Sequence, residues 1–402
     1  MDSGSEKRGI SIPVVIQAFA FTILGNFADS SYSPLSAFIK GAYSLTAEQV
    51  GIITSVVFVG SLTVNFFTGI LVDRFGSRSA VKISFAFLSI GSLICALSVS
   101  YEMILSGFFL IGLGYGSITP STNSLIMEKY YPDHMRRMGL KQSGVPIGSL
   151  VAVSLLPLLA IYFGIRWPFF VLFAATATVF VLVKNERIYS GSLNLREYLS
   201  DMLETARNHE LLLISVFSTV LSWGQQVSLT FWILFMESNG FLVIIAEISL
   251  AIFLIGAVVG RIFWSRIGNA LFGGSRKYGL SLIMIISGLL LISISIFHLD
   301  TVILVPYAFF LGMNTAGWNS TYVTAVSETA PKKKVGIFSG VGLIILGTGT
   351  IIGAPLSGYI KDTTGSFFTM WLILGTVQVA SAITLSVITW FTQRIKPADS
   401  GL

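Results

Sequence analysis

Gly69-Ile-Leu-Val-Asp73-Arg74-Phe-Gly76-Ser-Arg78 is the stretch that decides the fold. It sets two Gly, one Asp and two Arg among ten residues, in a chain where only 11% of residues are charged. Continuous apolar runs stand on both sides of it. A charged hinge between two apolar helices fits a membrane surface, where the hinge meets water and the helices meet lipid. The chain is therefore read as many apolar spans tied together at one face.

Composition agrees. The 402 residues are 53% hydrophobic, with a mean hydropathy of +0.81. Soluble domains carry about 25% charged residues, so lipid must be the solvent for most of this chain. A spanning helix needs ~20 mostly apolar residues. The runs are continuous rather than alternating, which excludes a membrane β-barrel. The single cysteine, Cys95, lies inside a run, so no disulfide framework exists and packing is its expected role. His134, His209 and His298 are scattered at span ends or loops, and no metal signature or cofactor motif appears. No nucleophile–base pair appears either, so an enzyme is not expected, nor is a nucleic-acid partner. Met1 to Gly9 is polar and the first run lacks a small-residue cleavage site, so no cleaved signal peptide is expected.

Twelve spans are expected, at 13–38, 47–71, 79–99, 102–128, 138–162, 167–184, 211–236, 242–266, 278–297, 301–327, 336–360 and 367–391. Thr46-Ala-Glu-Gln49 reads as a capping box opening the second. Gly164-Ile-Arg166-Trp167-Pro168 reads as a sharp turn with Pro at a helix start. The one long connection, about 185–210, carries eight charged residues and reads as a surface amphipathic helix or tether. It divides the chain into a six-span bundle at 1–184, a linker at 185–210 and a second six-span bundle at 211–402.

Lys and Arg fix the expected orientation. One side holds Lys7, Arg8, the hinge, Lys129, Arg136, Arg137, the central connection, Arg266, Arg276, Lys277, Lys332 to Lys334, Arg394 and Lys396. The other holds only Lys40, Arg166 and Lys361. The positive-inside rule puts both termini in the cytoplasm. The halves also repeat: Phe109, Gly112 and Glu128 recur as Phe309, Gly312 and Glu328, an offset of 200, and Gly139 recurs as Gly336 at 197. Two similar bundles facing each other place a substrate near the midplane of their interface.

Twelve spans, a six-plus-six layout and the Gly69-x-x-x-Asp73-Arg74-x-Gly76-x-Arg78 pattern resemble the major facilitator superfamily, over about residues 10–395. Ser77 replaces a usual Arg. In the second half Gly260-Arg261-Ile-Phe-Trp264 resembles the eighth span of the oxalate/formate exchanger and monocarboxylate transporter branches, with Asn269-Ala270 in place of the usual Asp-Arg. The Lys that the oxalate exchangers carry in the eleventh span is missing here. The resemblance implies a multi-pass carrier in a prokaryotic plasma membrane, working as a monomer without cofactor. It also implies that Asp73 and Arg74 form a cytoplasmic latch, with Gly69, Gly76 and Arg78 completing it. The alternative role for the arginines is topology alone.

Candidate site residues are the polar ones inside spans. Arg261 lies five residues before the expected end of its span, where an intramembrane cation faces a cavity or a partner. It suits a carboxylate held in bidentate fashion, or it snorkels to the surface. Lys141 lies four residues into the fifth span and offers a second cation from the other half, or an interfacial one. Asn26 and Asp29 lie in the first span, just before Ser30-Ser31-Tyr32-Ser33-Pro34. Asp29 reads as the one acid well inside an apolar run. It is a proton carrier, or it caps a broken helix. Gln142, Tyr115, Asn123, Trp223, Gln226, Asn314 and Trp318 are further candidates for lining the site, and such groups also glue helices together. Glu128 and Glu328 close spans at the hinge side and are expected to pair with hinge arginines.

The expectation is a secondary active carrier of a small organic anion, a carboxylate, by alternating access with proton symport or anion exchange. An anion entering against a negative-inside potential needs such coupling, at ~2.3 kcal/mol per charge per 100 mV. The alternatives are an exporter of hydrophobic or aromatic compounds that relies on Asp29, and a ligand sensor with the same fold that no longer transports.

Overall fold

The computed structural model describes residues 13–131, 135–184, 195–271, 275–296, 300–331 and 334–395. Sixteen α-helices and one short 3-10 turn run through them, and no strand occurs among the described residues. In the first half they are α1 (Val14–Asp29), α2 (Ser36–Ala42), α3 (Ala47–Phe75), α4 (Ser77–Leu97), α5 (Tyr101–Tyr130), α6 (Met135–Gln142), α7 (Gly144–Phe163) and α8 (Arg166–Leu182). α9 (Leu195–Thr205) bridges the halves. The second half has α10 (His209–Ser238), α11 (Val243–Leu271), α12 (Arg276–Ile296), α13 (Thr301–Thr315), α14 (Asn319–Thr329), α15 (Val335–Thr364) and α16 (Phe367–Ile395).

Among the described residues, ten helical stretches are long and apolar enough to cross a bilayer. The other two passes are α8, a shorter apolar helix of 17 residues, and the α13–α14 pair. Backbone N–H and C=O groups have no water partner in hydrocarbon, so each pass satisfies them along its own helix. Thr46 caps α3 as expected: its Oγ1 accepts from Gln49 N at 3.2 Å, and the Gln49 side chain accepts from Thr46 N at 2.9 Å. Between α3 and α4 the chain turns on Gly76 alone, at φ +81°, a left-handed conformation that glycine adopts without a Cβ penalty.

Three passes are interrupted, the first where a broken helix after Asp29 is one of the two sequence readings. The first breaks after Asp29, through a 3-10 turn at Ser30–Tyr32, because Pro34 lacks an N–H and crowds the carbonyl a turn earlier. The fifth breaks at Ser143, between α6 and α7. The tenth breaks at Ala316-Gly317-Trp318, where Gly317 lies against the backbone of Gly260. α11 also outruns its expected end at 266 and continues to Leu271.

The repeat at an offset near 200 is structural. In the first half Gly60 meets the Phe109 carbonyl and Gly112 meets Val57, closing α3 onto α5. In the second half Gly256 meets the Phe309 carbonyl and Gly312 meets Phe253, closing α11 onto α13. A Cβ at Gly112 or Gly312 would strike a carbonyl oxygen. Ser77 donates to Glu128 between α4 and α5, and at the matching place Arg276 Nη2 bonds Glu328 Oε1 at 2.8 Å between α12 and α14. Glu328 therefore pairs with an arginine as expected, and Glu128 accepts from Ser77. The chain is an all-α membrane protein of twelve transmembrane helices in two pseudo-symmetric six-helix bundles.

The bundles meet where α3 packs against α15 and α7 against α11. α9 docks on the second bundle, with Met202 in its core and Lys334 Nζ bonded to Asp201 Oδ1 at 3.1 Å and Glu204 Oε2 at 3.2 Å. Cys95 is buried between α4 and α5, in the packing role expected of it.

Candidate functional site

The break after α1 carries the functional geometry. It leaves Asn26, Asp29 and Ser30 at the end of a half-helix, facing α5 and α7. Asn26 Nδ2 donates to Tyr115 Oη at 3.0 Å, and Asn26 Oδ1 accepts from Ser149 Oγ at 2.6 Å and Ser30 Oγ at 3.2 Å. Tyr115 lies within electrostatic reach of both Asp29 in its own half and Arg261 in the other. Tyr32, in the 3-10 turn of the break, lies within interaction reach of Asp29 and of the Gln226 side chain of α10. Five of the expected residues, Asn26, Asp29, Tyr115, Gln226 and Arg261, thus gather at one place on the seam between the bundles.

Arg261 is deeper than its span boundary implied. It sits ten residues from the end of α11, which at ~1.5 Å per residue is ~15 Å of helix. Its Nε is buried without a hydrogen-bond partner, and so are Gln226 Oε1 and Asn314 Oδ1. Buried polar atoms are almost always bonded, and an orphan costs ~1–3 kcal/mol. The unpaired donor on Arg261 and the unpaired acceptor on Gln226, gathered on the seam, are what a polar ligand would satisfy.

The other expected residues lie elsewhere. Lys141 is fully buried, at the end of α6, and its Nζ bonds Asn123 Oδ1 at 3.0 Å, the Thr119 carbonyl at 3.4 Å and Gln142 Oε1 at 3.5 Å. Its charge is satisfied within the first bundle, so in this conformation Lys141, Asn123 and Gln142 form one cluster apart from Arg261. Trp223 Nε1 donates to Ser357 Oγ at 2.9 Å, tying α10 to α15. Trp318 Nε1 donates to the Thr315 carbonyl at 3.0 Å, and its ring packs on Tyr322 in the core of the second bundle. Arg74 is exposed, its guanidinium 5.6 Å from the Phe75 ring. The side chain of Asp73, and the surroundings of Gly69 and Asn269, lie outside the described residues.

Sequence reasoning missed four participants. Tyr32 and Ser149 carry no charge, and only the folded break brings them to Asn26 and Asp29. Glu247 is a second acid inside an apolar run, so Asp29 does not stand alone. Asp362 closes one end of the seam.

Call the end of the bundles that bears the chain termini the terminal end, and the other the distal end. At the distal end Asp362 of α15 reaches the start of α3 in the other bundle. Its Oδ1 accepts from Ala47 N at 3.2 Å and its Oδ2 from Glu48 N at 2.8 Å. Four orphan N–H groups and the positive end of the helix dipole make this the favoured place for a carboxylate. Gly358 lies on Ala47 and Gly51 on Ala354, in backbone contact. Ser55 Oγ donates to the Ile351 carbonyl at 2.6 Å, Thr54 and Thr230 share a hydrogen bond of 2.8 Å, and Ser33 Oγ donates to the Leu229 carbonyl at 2.5 Å. These five hydrogen-bonded links use only Ser33 and the first nine residues of α3. Toward the terminal end a Cβ on Gly340 or Gly336 of α15 would meet open space. The bundles are closed distally.

Two matched bundles closed at one end, with polar groups gathered on the seam, define a membrane carrier rather than an enzyme. The sequence profile described as Major Facilitator Superfamily matches residues 18–354, and the chain belongs to that superfamily. It is similar to the gentisate transporter of Corynebacterium glutamicum, at 24% identity over 94% of this chain and 88% of that one. A part of it is similar to the hexuronate transporter of Bacillus subtilis, at 25% identity over 38% of this chain and 36% of that one. In fold it is similar to the crystal structure of the nucleoside transporter NupG, with a TM-score of 0.75 and 17% identity over 94% of this chain and 99% of that one. The protein is a multi-pass transporter for a small molecule.

Proposed function

We propose that this protein is a secondary active carrier of a small organic carboxylate, working by alternating access. The observation that carries this reading is Arg261: a half-buried guanidinium whose Nε is buried and unpaired, within electrostatic reach of Tyr115, which also feels Asp29. A guanidinium offers two parallel donors that match a carboxylate. Gln226 and Asn314 supply unpaired acceptors for hydroxyls elsewhere on the substrate. The names of the gentisate and hexuronate relatives both denote carboxylates, which supports the same class.

Asp29 is the proton carrier in this reading. It shares Tyr115 with Arg261, so a substrate carboxylate arriving at the arginine changes the field at the acid. Proton symport offsets the cost of moving the anion against the membrane potential. The rocking units are residues 1–184 and 211–402, joined by 185–210, and the protein acts as a monomer in the cell membrane. Both termini are cytoplasmic, so the distal closure faces outside and the site opens inward. Asp73, Arg74, Arg78, Gly69 and Gly76 gate the terminal end together with Glu128, and Asp362 gates the distal one.

The test is uptake of labelled gentisate and glucuronate into vesicles holding the purified protein, with an inward proton gradient. Arg261→Ala removes uptake of both, and Arg261→Lys restores part of it. Carboxylate uptake unchanged by Arg261→Ala would sink the reading. Binding or efflux of lipophilic cations that needs Asp29 but not Arg261 would replace it with the exporter reading.

A further inference from the structure

We propose that Glu247 is a second proton-binding carboxyl of this carrier, distinct from Asp29 and serving the distal side. It stands five residues into α11 and is 4% exposed, and neither of its carboxyl oxygens has a hydrogen-bond partner. A bare carboxylate in that position would lack both the hydrogen bonds and the cation that a buried charge requires. The acid, carrying its own proton, needs neither.

The described surroundings favour a proton. The helices packed against α11 are α13, α7, α10, α14 and α12. The charged group that interacts with Glu247 is Glu237, at the end of α10, and Glu237 in turn interacts with Lys40. The distal parts of α7 and α13 offer only tyrosines: Tyr162 is exposed, and Tyr307 donates to the Leu290 carbonyl. The distal part of α12 carries no acid or base, and the acid of α14, Glu328, lies at the terminal end with Arg276. Among the described residues no cation stands beside Glu247 to make it a buried ion-pair partner, and no group of three possible metal ligands occurs there.

The interaction with Glu237 links Glu247 to the distal surface. Glu237 lines a cavity of about 550 Å³ at the distal end, together with Lys40 of the first bundle and Lys361 of the second. A proton from distal water passes to Glu237 and then to Glu247, forming an O–H bond on one carboxylate as it leaves the other. Glu247 and Arg261 are fourteen residues apart on α11, which is ~21 Å of rise and nearly four whole turns. They therefore share one side of the helix, and movement of α11 during rocking displaces both together.

This rests on the carrier reading for its role in transport, but not for the proton itself, and the experiment separates the two. Infrared difference spectra of the purified protein in lipid, in H2O and D2O, report protonated carboxylic acids at neutral pH. An acid band present in wild type and in Asp29→Asn, and missing in Glu247→Gln, is the expected result. Its presence in Glu247→Gln at wild-type intensity overturns the proposal, whatever the substrate proves to be. In vesicles with a trapped pH dye, Glu247→Gln is expected to retain gentisate counterflow while gentisate-driven proton entry falls at least tenfold. Because counterflow needs a folded carrier, its retention removes misfolding as the cause. Proton entry equal to wild type in a variant with normal counterflow overturns the role in coupling.

Discussion

Removing the Asp362 carboxylate should open the distal end. Asp362 accepts two N–H groups of α3, from Ala47 and Glu48, at 3.2 and 2.8 Å. Hydrogen bonds to a charged group contribute ~1.5–3 kcal/mol each, and a carboxylate at a helix N-terminus adds ~0.3–1 kcal/mol more. The side chain is a quarter exposed and shares its charge with Lys361 at 3.3 Å, so water replaces part of what is lost. We take roughly 2 kcal/mol as the net bias toward the distally closed state, which is a factor of ~30 in population. Thr230, buried against Thr54, is a suitable reporter of closure. In a background with Cys95→Ser and Thr230→Cys, a membrane-impermeant maleimide applied from the distal side reads the open fraction. Asp362→Ala is expected to speed labelling about 30-fold and Asp362→Asn by less, because the amide oxygen still accepts one bond. Unchanged labelling in Asp362→Ala would show that the cap does not bias the equilibrium.

Gly312→Ala should lose folded protein or several degrees of melting temperature in detergent, since its Cβ strikes the Phe253 carbonyl, while Gly340→Ala enters open space and should gain up to ~1 kcal/mol. Lys141→Ala leaves Asn123 Oδ1 without its donor and should lower the melting temperature with KM for carboxylates unchanged, whereas Arg261→Ala should abolish uptake at unchanged melting temperature; a KM effect of Lys141→Ala without loss of stability would place that lysine in the binding site. Hydrogen bonds from Lys334 to Asp201 and then Glu204 raise its pKa above the ordinary lysine value, so docking of α9 is fully supported below that value and lost as pH rises through the raised one. Protease cleavage within 195–205 should therefore be flat from neutral pH to about 10 and rise only beyond.

Much of this fold was legible because lipid makes helical order visible in composition. Apolar runs of span length, the Thr46 capping box and glycines repeated near an offset of 200 all correspond to described structure. The breaks were less legible. Pro34 signals one, but Pro120, Pro157, Pro306 and Pro355 lie inside unbroken helices, so proline alone does not decide. The break at Gly317 follows from a backbone contact with Gly260, 57 residues away, which no local pattern carries. Within the site, charge in an apolar run singled out both Arg261 and Lys141 and could not tell one from the other. The difference lies in partners: Lys141 finds Asn123 and Thr119 inside its bundle, and the Arg261 Nε finds none. Glu247 was hidden by its place near a helix start, where an acid reads as favourable to the dipole. Asp362 was hidden by its neighbour Lys361, which made the pair look like ordinary surface charge.

Asp362 gives the opening motif a counterpart. α3 and α15 run antiparallel along the seam, α3 from Ala47 at the distal end to Phe75 at the terminal end, α15 from Val335 to Thr364 the other way. Each helix carries an aspartate two residues before its last residue: Asp73 on α3 and Asp362 on α15. Asp362 caps the start of α3 in the distally closed state. By the same chemistry Asp73 would favour the start of α15 when the terminal end is closed, the state that opens the distal end. The two acids then bias one equilibrium in opposite directions. With the Thr230→Cys reporter, Asp73→Asn should slow distal labelling while Asp362→Ala speeds it, and the double variant should return toward wild type. Changes at Asn269 should leave labelling untouched, since the second hinge has no carboxylate. If Asp73→Asn and Asp362→Ala both speed labelling, the aspartates stabilise the fold generally and do not act as opposed latches.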